Sequence, residues 1–306
     1  MQKRACIKWG EFNHYKHFLI NIEMKKYVSI LILGLIILIS SCDFVNAPEQ
    51  EGGIIFNGRK VLIEDYTGHK CPNCPRAARE ADKLLDKYGD KVIVVAVHAD
   101  FFANFNIAPY VINFKTTFGT DYDNYFGISA YPSGLINRKD FTTSTINHIK
   151  ADSQWATEVK KELAKPKTVD LEIINTYNSS TKILNCNIKS TFLVDTLTGS
   201  SYKLIVLVTQ SDIISDQLDG STHNPTYTHK HILRDNLNGT WGVGLGTINA
   251  NTAVVKSYTY TFPGTYPIAG GANSSACVVE DCHVVAFIYN DATKEIIQVE
   301  EKKVIP

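Results

Sequence analysis

A pair of cysteines separated by two residues offers the clearest chemistry in this sequence. Cys71 and Cys74 enclose a Pro-Asn dipeptide between an apolar segment and an Ala-rich one. Thiols at this spacing on the first turn of a helix can close a small disulfide, and the helix N-terminus stabilises the thiolate of the first cysteine. We therefore expect Cys71 to be the exposed attacking sulfur and Cys74 the resolving one. His69 and Lys70 would add positive potential nearby.

The segments around this CxxC motif predict the elements that position it. Residues 60–66 are apolar and β-rich, apolar residues recur at helical spacing from Cys74 to Tyr88, and Gly89 ends that helix. Residues 92–97 form a continuous apolar run that is typical of a buried parallel strand. The order strand, helix, strand implies a right-handed crossover with the CxxC motif at the carboxyl end of the first strand.

These residues resemble the thioredoxin superfamily, whose members place a strand before a CxxC motif and later present a cis-proline to the dithiol. The resemblance implies that role for Pro132. It also implies that Asp65, six residues before Cys71, is a buried carboxyl group that moves protons to and from the resolving thiol. Burial would raise the pKa of Asp65 toward that task. The Trp that precedes the first cysteine in thioredoxins is Lys70 here, so substrate preference and reduction potential do not carry over.

The rest of the chain, from residue 99, predicts a few helices and then a series of strands. Residues 99–130 are weakly patterned and predict one or two short helices, and residues 153–164 predict a longer one. Beyond residue 167, alternating segments separated by turn signals predict strands at 169–177, 182–194, 202–213, 254–262, 282–289 and 295–304. We therefore expect an α/β thioredoxin-like domain at 58–166 followed by an antiparallel β-sandwich domain at 167–306.

The N-terminal region indicates export. Lys25 and Lys26 precede an apolar run at 27–39 that is shorter than the roughly 20 residues of a membrane-spanning helix. The run ends in Ser40-Ser41-Cys42, which resembles a bacterial lipobox. An uncleaved anchor helix is the alternative, and both interpretations attach the protein to a membrane.

On the lipobox interpretation, Cys42 is acylated and becomes the mature N-terminus. Residues 1–41 are then an upstream extension and a signal peptide, with Met24 as the true start and Cys6 outside the mature protein. Residues 42–57 mix Pro, Gly and acidic residues without periodicity, as a linker between lipid and domain would. The membrane partner is thus reached through a lipid anchor on Cys42.

The net charge of the chain and its expected compartment indicate which partners it attracts and how its other cysteines are used. The 31 basic and 31 acidic residues balance, but residues 1–41 are basic, so the remainder is slightly acidic and does not attract nucleic acid. In an oxidising envelope we expect a structural disulfide between Cys277 and Cys282 and a small core residue at Cys186. The CxxC motif could instead be a structural disulfide, or half of a zinc site completed by Cys277, Cys282 or His283.

The stretch 62–75, Leu-Ile-Glu-Asp-Tyr-Thr-Gly-His-Lys-Cys-Pro-Asn-Cys-Pro, resembles the signature of the outer-membrane-protein-28-related lipoproteins of Bacteroidetes. Residues 229–234, His-Lys-His-Ile-Leu-Arg, are also similar to a stretch of those proteins. The resemblance implies an outer-membrane lipoprotein with a thioredoxin-like domain and a C-terminal β-domain. It implies little about activity.

Two functions are compatible with these features. The leading hypothesis is a membrane-tethered thiol-disulfide oxidoreductase that acts, without a cofactor or metal, on thiols or disulfides of envelope proteins through a mixed disulfide at Cys71. The alternative is a non-catalytic binding or structural lipoprotein in which the thioredoxin fold is a scaffold. His229 and His231 share one face of a predicted strand and could hold a metal, but a third ligand is not evident, so we expect a packed or solvated pair.

Overall fold

The computed structural model describes residues 58–141, 147–194, 201–267 and 270–305. Within these ranges no helix is both long enough and apolar enough to cross a membrane. The predicted signal peptide, the linker and the acylated Cys42 lie outside the described residues and stay predictions.

The first elements are the predicted strand, helix and strand. β1 (Val61–Thr67) and β2 (Val92–His98) are buried along their whole length. The apolar sequence of β2 requires this, whereas β1 also buries Glu64 and Asp65. They pair in parallel from Val61 beside Val92 to Thr67 beside His98. α1 (Cys74–Tyr88) connects them and ends at Gly89, whose φ of 57° suits glycine. Both strands therefore end at the edge where the CxxC motif begins.

The next elements complete this part of the sheet. α2 (Thr117–Phe126) begins where the Thr116 side chain accepts a hydrogen bond from the backbone of Gly119. β3 (Ser133–Ile136) runs antiparallel to β1, and β4 (Ile149–Lys150) pairs with β3. α3 (Asp152–Leu163) follows.

The remaining regular elements of the described residues are strands, apart from a single helical turn at Val279–Asp281. These are β5 (Val169–Asn178), β6 (Ile183–Phe192), β7 (Tyr202–Gln210), β8 (Ile213–Asp219), β9 (Thr222–His229), β10 (Ile232–Asn236), β11 (Val243–Gly244), β12 (Ala253–Thr261), β13 (Thr265–Tyr266), β14 (Ser275–Ala276), β15 (Cys282–Asn290) and β16 (Ile296–Lys303). The described part of the chain is thus β-rich with few helices.

One mixed sheet joins both halves of the chain. Its order is β16-β15-β7-β10-β2-β1-β3-β4, with β11 added to β7. β10 lies parallel to β2, and the Ala96 backbone N–H donates to the His231 carbonyl at 2.8 Å. The expected division at residues 166–167 is therefore not a sheet boundary. Without β10, β2 would be an edge strand buried on both faces, and β10 pairs with its open edge at Ala96.

Helices and a second sheet cover the two faces of this sheet. α1 and α3 pack on one face through Ala81, Leu84 and Trp155, and α2 packs on the opposite face through Tyr122 and Phe126. A separate three-stranded sheet, β12-β6-β5, packs on the α1 side against β7 and β15. The prediction of a β-sandwich is therefore confirmed in part. Two sheets do stack there, but one of them also contains β1 and β2, the strands beside the CxxC motif.

The predicted strand at 202–213 is two strands. β7 ends at Gln210, the chain turns at Asp212 with a φ of 58°, and β8 starts a new direction. β8 pairs with β9 as an isolated two-stranded hairpin. His229 ends β9, whereas His231 lies beyond it with a φ of 55°. The expectation that both histidines share one strand face is therefore wrong.

Candidate dithiol site

Cys71 and Cys74 form a disulfide at the junction of β1 and α1, with their Cα atoms 5.4 Å apart. The Cys71 backbone N–H donates to the Gly68 carbonyl at 3.0 Å, which tightens the turn after β1. α1 then starts at Cys74 with Pro75 in its first turn, where proline loses no helical hydrogen bond. The two cysteines thus lie at the N-terminus of a helix, as the sequence predicted.

The loop before the disulfide is held against residues 101–103. The Lys70 backbone N–H donates to the Phe102 carbonyl at 3.0 Å, and the Lys70 ammonium lies 4.4 Å from the centre of the Phe101 ring. Gly68 permits this approach, because a Cβ atom there would lie 2.4 Å from the Phe102 carbonyl carbon. A side chain at position 68 would therefore push the loop away.

The β8–β9 hairpin covers the other side of the disulfide. The backbone N–H groups of Leu218 and Gly220 donate to the carbonyls of His69 and Pro72, each at 2.8 Å. The Gln217 side-chain amide donates to the Cys71 carbonyl at 3.2 Å. Two ion pairs with α1 flank these bonds, Arg79 with Asp219 at 2.9 Å and Lys230 with Asp82 at 3.0 Å.

This cover buries both sulfur-bearing residues. Cys71 is 0% exposed and Cys74 is 2% exposed. The expectation that Cys71 remains exposed is therefore wrong for this conformation. The reason is non-local: the covering hairpin comes from residues 213–229, in the half of the chain that we assigned to a separate domain.

Asp65 lies on β1 and is buried, as the resemblance implies. It is 3% exposed, and its buried Oδ1 has no hydrogen-bond partner among the described residues. Burial raises the pKa of Asp65 to about 8, and the nearby Asp152 adds to the rise. Asp65 and Cys74 line the same cavity, whose volume is about 60 Å³. The carboxyl group is therefore protonated at neutral pH and faces the space beside the resolving cysteine.

Sequence reasoning missed other residues of this cavity. His98, Gln217, Tyr227 and His229 line it together with Asp65. Burial lowers the pKa of His98 well below its ordinary value and that of His229 to about 4, so both rings are neutral. Neither ring nitrogen of His98 has a partner in the described structure. A signal was available for His98, because it ends β2 at the edge where β1 leads into the CxxC motif.

His69 and Pro132 are the other residues that we predicted to lie near the dithiol. His69 is buried, and burial lowers its pKa, so its ring does not supply the expected positive charge. The Tyr131-Pro132 peptide bond is cis. Pro132 directly precedes β3, whose Ser133 pairs with Tyr66. The proline thus lies at the same edge of the sheet as the loop that carries Cys71, which is where the resemblance expects it.

The expected disulfide between Cys277 and Cys282 is absent from this structure, in which both residues are free thiols. Their side chains interact with each other, and the Cys282 S–H also has the Val278 carbonyl within reach, at 3.3 Å. In the described residues, no group of three or more His, Cys, Asp and Glu side chains is arranged to hold a metal. Cys186 is a fully buried core residue, as expected.

Comparison with solved structures places this fold beside a known one. HBP35 of Porphyromonas gingivalis superposes with a TM-score of 0.61 at 17% identity, covering 80% of this chain and 75% of that one. A domain of the outer membrane lipoprotein Omp28 from the same organism gives a TM-score of 0.29 at 18% identity, over 45% of this chain and 88% of that domain. No curated protein matches the chain.

Residues 119–306 match the model of the family described as Outer membrane protein Omp28. The matched range begins after the dithiol, so it identifies the family and not the chemistry of Cys71 and Cys74. It confirms the resemblance and the outer-membrane location that the sequence predicted. Because the match spans more than half of its length, this chain belongs to the Omp28 family of outer membrane proteins.

Proposed function

We propose that this chain is an outer-membrane lipoprotein that exchanges thiols and disulfides through Cys71 and Cys74. The observation that carries the proposal is the buried carboxyl group of Asp65, which lines a cavity together with Cys74 at the start of α1 and whose pKa burial raises to about 8. Perturbed titratable groups concentrate at functional sites. The order β1-α1-β2 followed by β3-β4-α3, with a cis-proline directly before β3, supports a thioredoxin-like unit.

The chemistry assigns one role to each group. In the reduced protein, the Cys71 thiolate attacks a disulfide of an envelope protein, forms a mixed disulfide and releases one partner thiolate, which takes up a proton. Cys74 then loses its proton, attacks the Cys71 sulfur and releases the second partner thiolate. Asp65 must first release its own proton to accept the proton of Cys74, and a pKa of about 8 keeps a minor fraction of the carboxylate available near neutral pH. A lipid on Cys42 would hold the reaction at the membrane.

A second candidate function rests on the burial of the disulfide. Neither sulfur-bearing residue is reachable while the β8–β9 hairpin is in place. A disulfide closed under a hydrogen-bonded cover also suits a structural brace in a non-catalytic envelope protein. The two functions differ in whether the folded protein opens the hairpin to a partner.

The test is disulfide exchange by the folded chain from Asp43. We would equilibrate it with glutathione buffers of graded potential, follow Cys71 and Cys74 by alkylation and mass spectrometry, and measure catalysed reduction of a protein disulfide such as that of insulin. Cys71→Ser removes the attacking sulfur, and Cys74→Ser should trap partners as mixed disulfides. Reduction by glutathione without denaturant, with turnover lost in Cys71→Ser, is the expected result. A disulfide that yields only in denaturant would refute the enzyme and support the brace.

A further inference from the structure

Arg234, in β10, is a buried cation without a carboxylate partner in the described part of the chain. Its side chain is 5% exposed. One guanidinium nitrogen, Nη2, donates to the Ser275 hydroxyl at 2.8 Å and to the Tyr266 carbonyl at 3.3 Å, while the buried Nε has no partner. The neighbouring Asp235 accepts instead from the Tyr260 hydroxyl, at 2.7 Å. Buried charges are costly unless they are paired, so this arginine calls for a counter-ion.

The acidic groups that act on Arg234 are phenols and thiols. Burial lowers the pKa of Arg234 to about 10, and Tyr266, Cys277, Cys282 and Tyr260 oppose that effect. Burial raises the pKa values of both tyrosines, so they remain neutral. The pKa of Cys277 is lowered, first by its hydrogen bond with Cys282 and then by Arg234 and the Tyr266 hydroxyl, against the effect of burial. A Cys277 thiolate is thus the anion that can balance the arginine.

The backbone holds the two thiols together. The Cys277 N–H donates to the Gly264 carbonyl at 3.1 Å, next to the two-stranded β13–β14 pair in which Tyr266 opposes Ser275. A single helical turn at Val279–Asp281 then brings the chain back, so that Cys282 meets Cys277. Cys282 is fully buried, whereas Cys277 is partly exposed. This is the asymmetry expected of an attacking and a resolving sulfur.

We propose that Cys277 and Cys282 are a second thiol-disulfide exchange pair, in which Cys277 is the attacking thiolate and Arg234 is its counter-ion. The substrate class is an accessible disulfide, on a small molecule or on a protein surface. The Cys277 thiolate attacks one sulfur of that disulfide, forms a mixed disulfide and releases one substrate thiolate, which takes up a proton. The Cys282 thiol then gives its proton to solvent, attacks the Cys277 sulfur and releases the second substrate thiolate. The two cysteines are oxidised and the substrate disulfide is reduced.

This proposal does not depend on the CxxC motif, and each cysteine can be followed by its own peptide. We would reduce the folded chain, measure iodoacetamide alkylation of Cys277 from pH 5 to pH 10 by mass spectrometry, and repeat this in Arg234→Met and Arg234→Lys. Cys186 is an internal control, because it is a buried free thiol without a neighbouring cation, and burial raises its pKa to about 12.

In the unaltered chain we expect the midpoint for Cys277 to lie below the ordinary thiol value of about 8.5. Arg234→Met should raise this midpoint and slow alkylation at pH 7 about 10-fold, whereas Arg234→Lys should retain most of the effect. A midpoint at or above the ordinary thiol value overturns the proposal. So does a Cys277–Cys282 disulfide that resists glutathione in the folded protein. Both of these measurements use the unaltered chain, so they decide the matter even if Arg234→Met does not fold.

Discussion

Replacing Asp65 by asparagine should remove part of the dependence of the free energy of unfolding on pH. Asp65 is buried and lines a cavity together with Cys74, and burial raises its pKa from 3.8 to about 8. The folded protein therefore holds this proton between pH 4 and pH 8, where the unfolded chain releases it. Stability falls with pH wherever the folded state binds more protons than the unfolded state. Asparagine has nearly the same shape and does not titrate.

The magnitude follows from the width of this window. Each pH unit between the two pKa values removes about 1.4 kcal/mol from the free energy of unfolding, so the full window corresponds to roughly 6 kcal/mol. Between pH 5 and pH 7 the stability of Asp65→Asn, relative to the unaltered chain, should therefore rise by about 2.7 kcal/mol. Below pH 4 the difference should level off, because both states of the unaltered protein then carry the proton.

The assay is urea unfolding at pH 5, 6 and 7 without reductant, so that the Cys71–Cys74 disulfide stays closed in both proteins. Unfolding slopes must agree for the free energies to be compared. Asp86→Asn, on the exposed side of α1, controls for the loss of a carboxylate as such. If the difference between Asp65→Asn and the unaltered chain stays constant within about 0.5 kcal/mol over this range, Asp65 is not a buried neutral acid and its proposed role in proton transfer fails.

Three further changes test the packing around the site. Glu64 binds the fully buried Arg138 through both carboxylate oxygens, at 2.6 and 2.7 Å. Glu64→Gln should lower the free energy of unfolding by about 3–5 kcal/mol, because it leaves Arg138 without its counter-charge. A loss under about 1 kcal/mol in urea unfolding would contradict this. Gly68→Ala should destabilise by at least about 1 kcal/mol, because its methyl group would lie 2.4 Å from a backbone carbonyl carbon, whereas Gly244→Ala, with nothing within 4 Å, should have little effect. Gln217→Ala should speed reduction of the disulfide by dithiothreitol several-fold by weakening the hairpin tip, and an unchanged rate would show that this amide does not hold the cover.

The strand, helix and strand around the CxxC motif could be predicted because their signals are local. β2 is a continuous apolar run, β1 opens with the apolar residues Val-Leu-Ile, and the helical spacing from Cys74 ends at Gly89. The position of Asp65 on β1 then follows from the length of the strand, whereas its burial was expected from the resemblance and not from its neighbours Glu64 and Tyr66. These features depend on residues close in sequence, where periodicity is informative.

The cover over the disulfide could not be predicted, because it depends on pairing between distant segments. β9 has the sequence Thr-His-Asn-Pro-Thr-Tyr-Thr-His, which is polar and mostly exposed, so it lacks the alternation that indicates a strand. β10 is short and joins β2 across more than 130 residues of chain. Neither contact has a signature in the segment itself, and without them the two halves look like separate domains.

The position of the hairpin decides what access to the dithiol requires. Its base is fixed to the main sheet at both ends, since β8 follows β7 and β9 leads into β10. Its tip is held over the disulfide by the hydrogen bonds of Leu218, Gly220 and Gln217. The buried side chains beyond Ile213 on β8 are Ser215 and Gln217, both polar. Lifting the tip would therefore expose little apolar surface, and local openings of this kind require much less free energy than global unfolding. The burial of the two sulfurs in the closed form is thus compatible with exchange chemistry, provided that the tip and not the sheet moves.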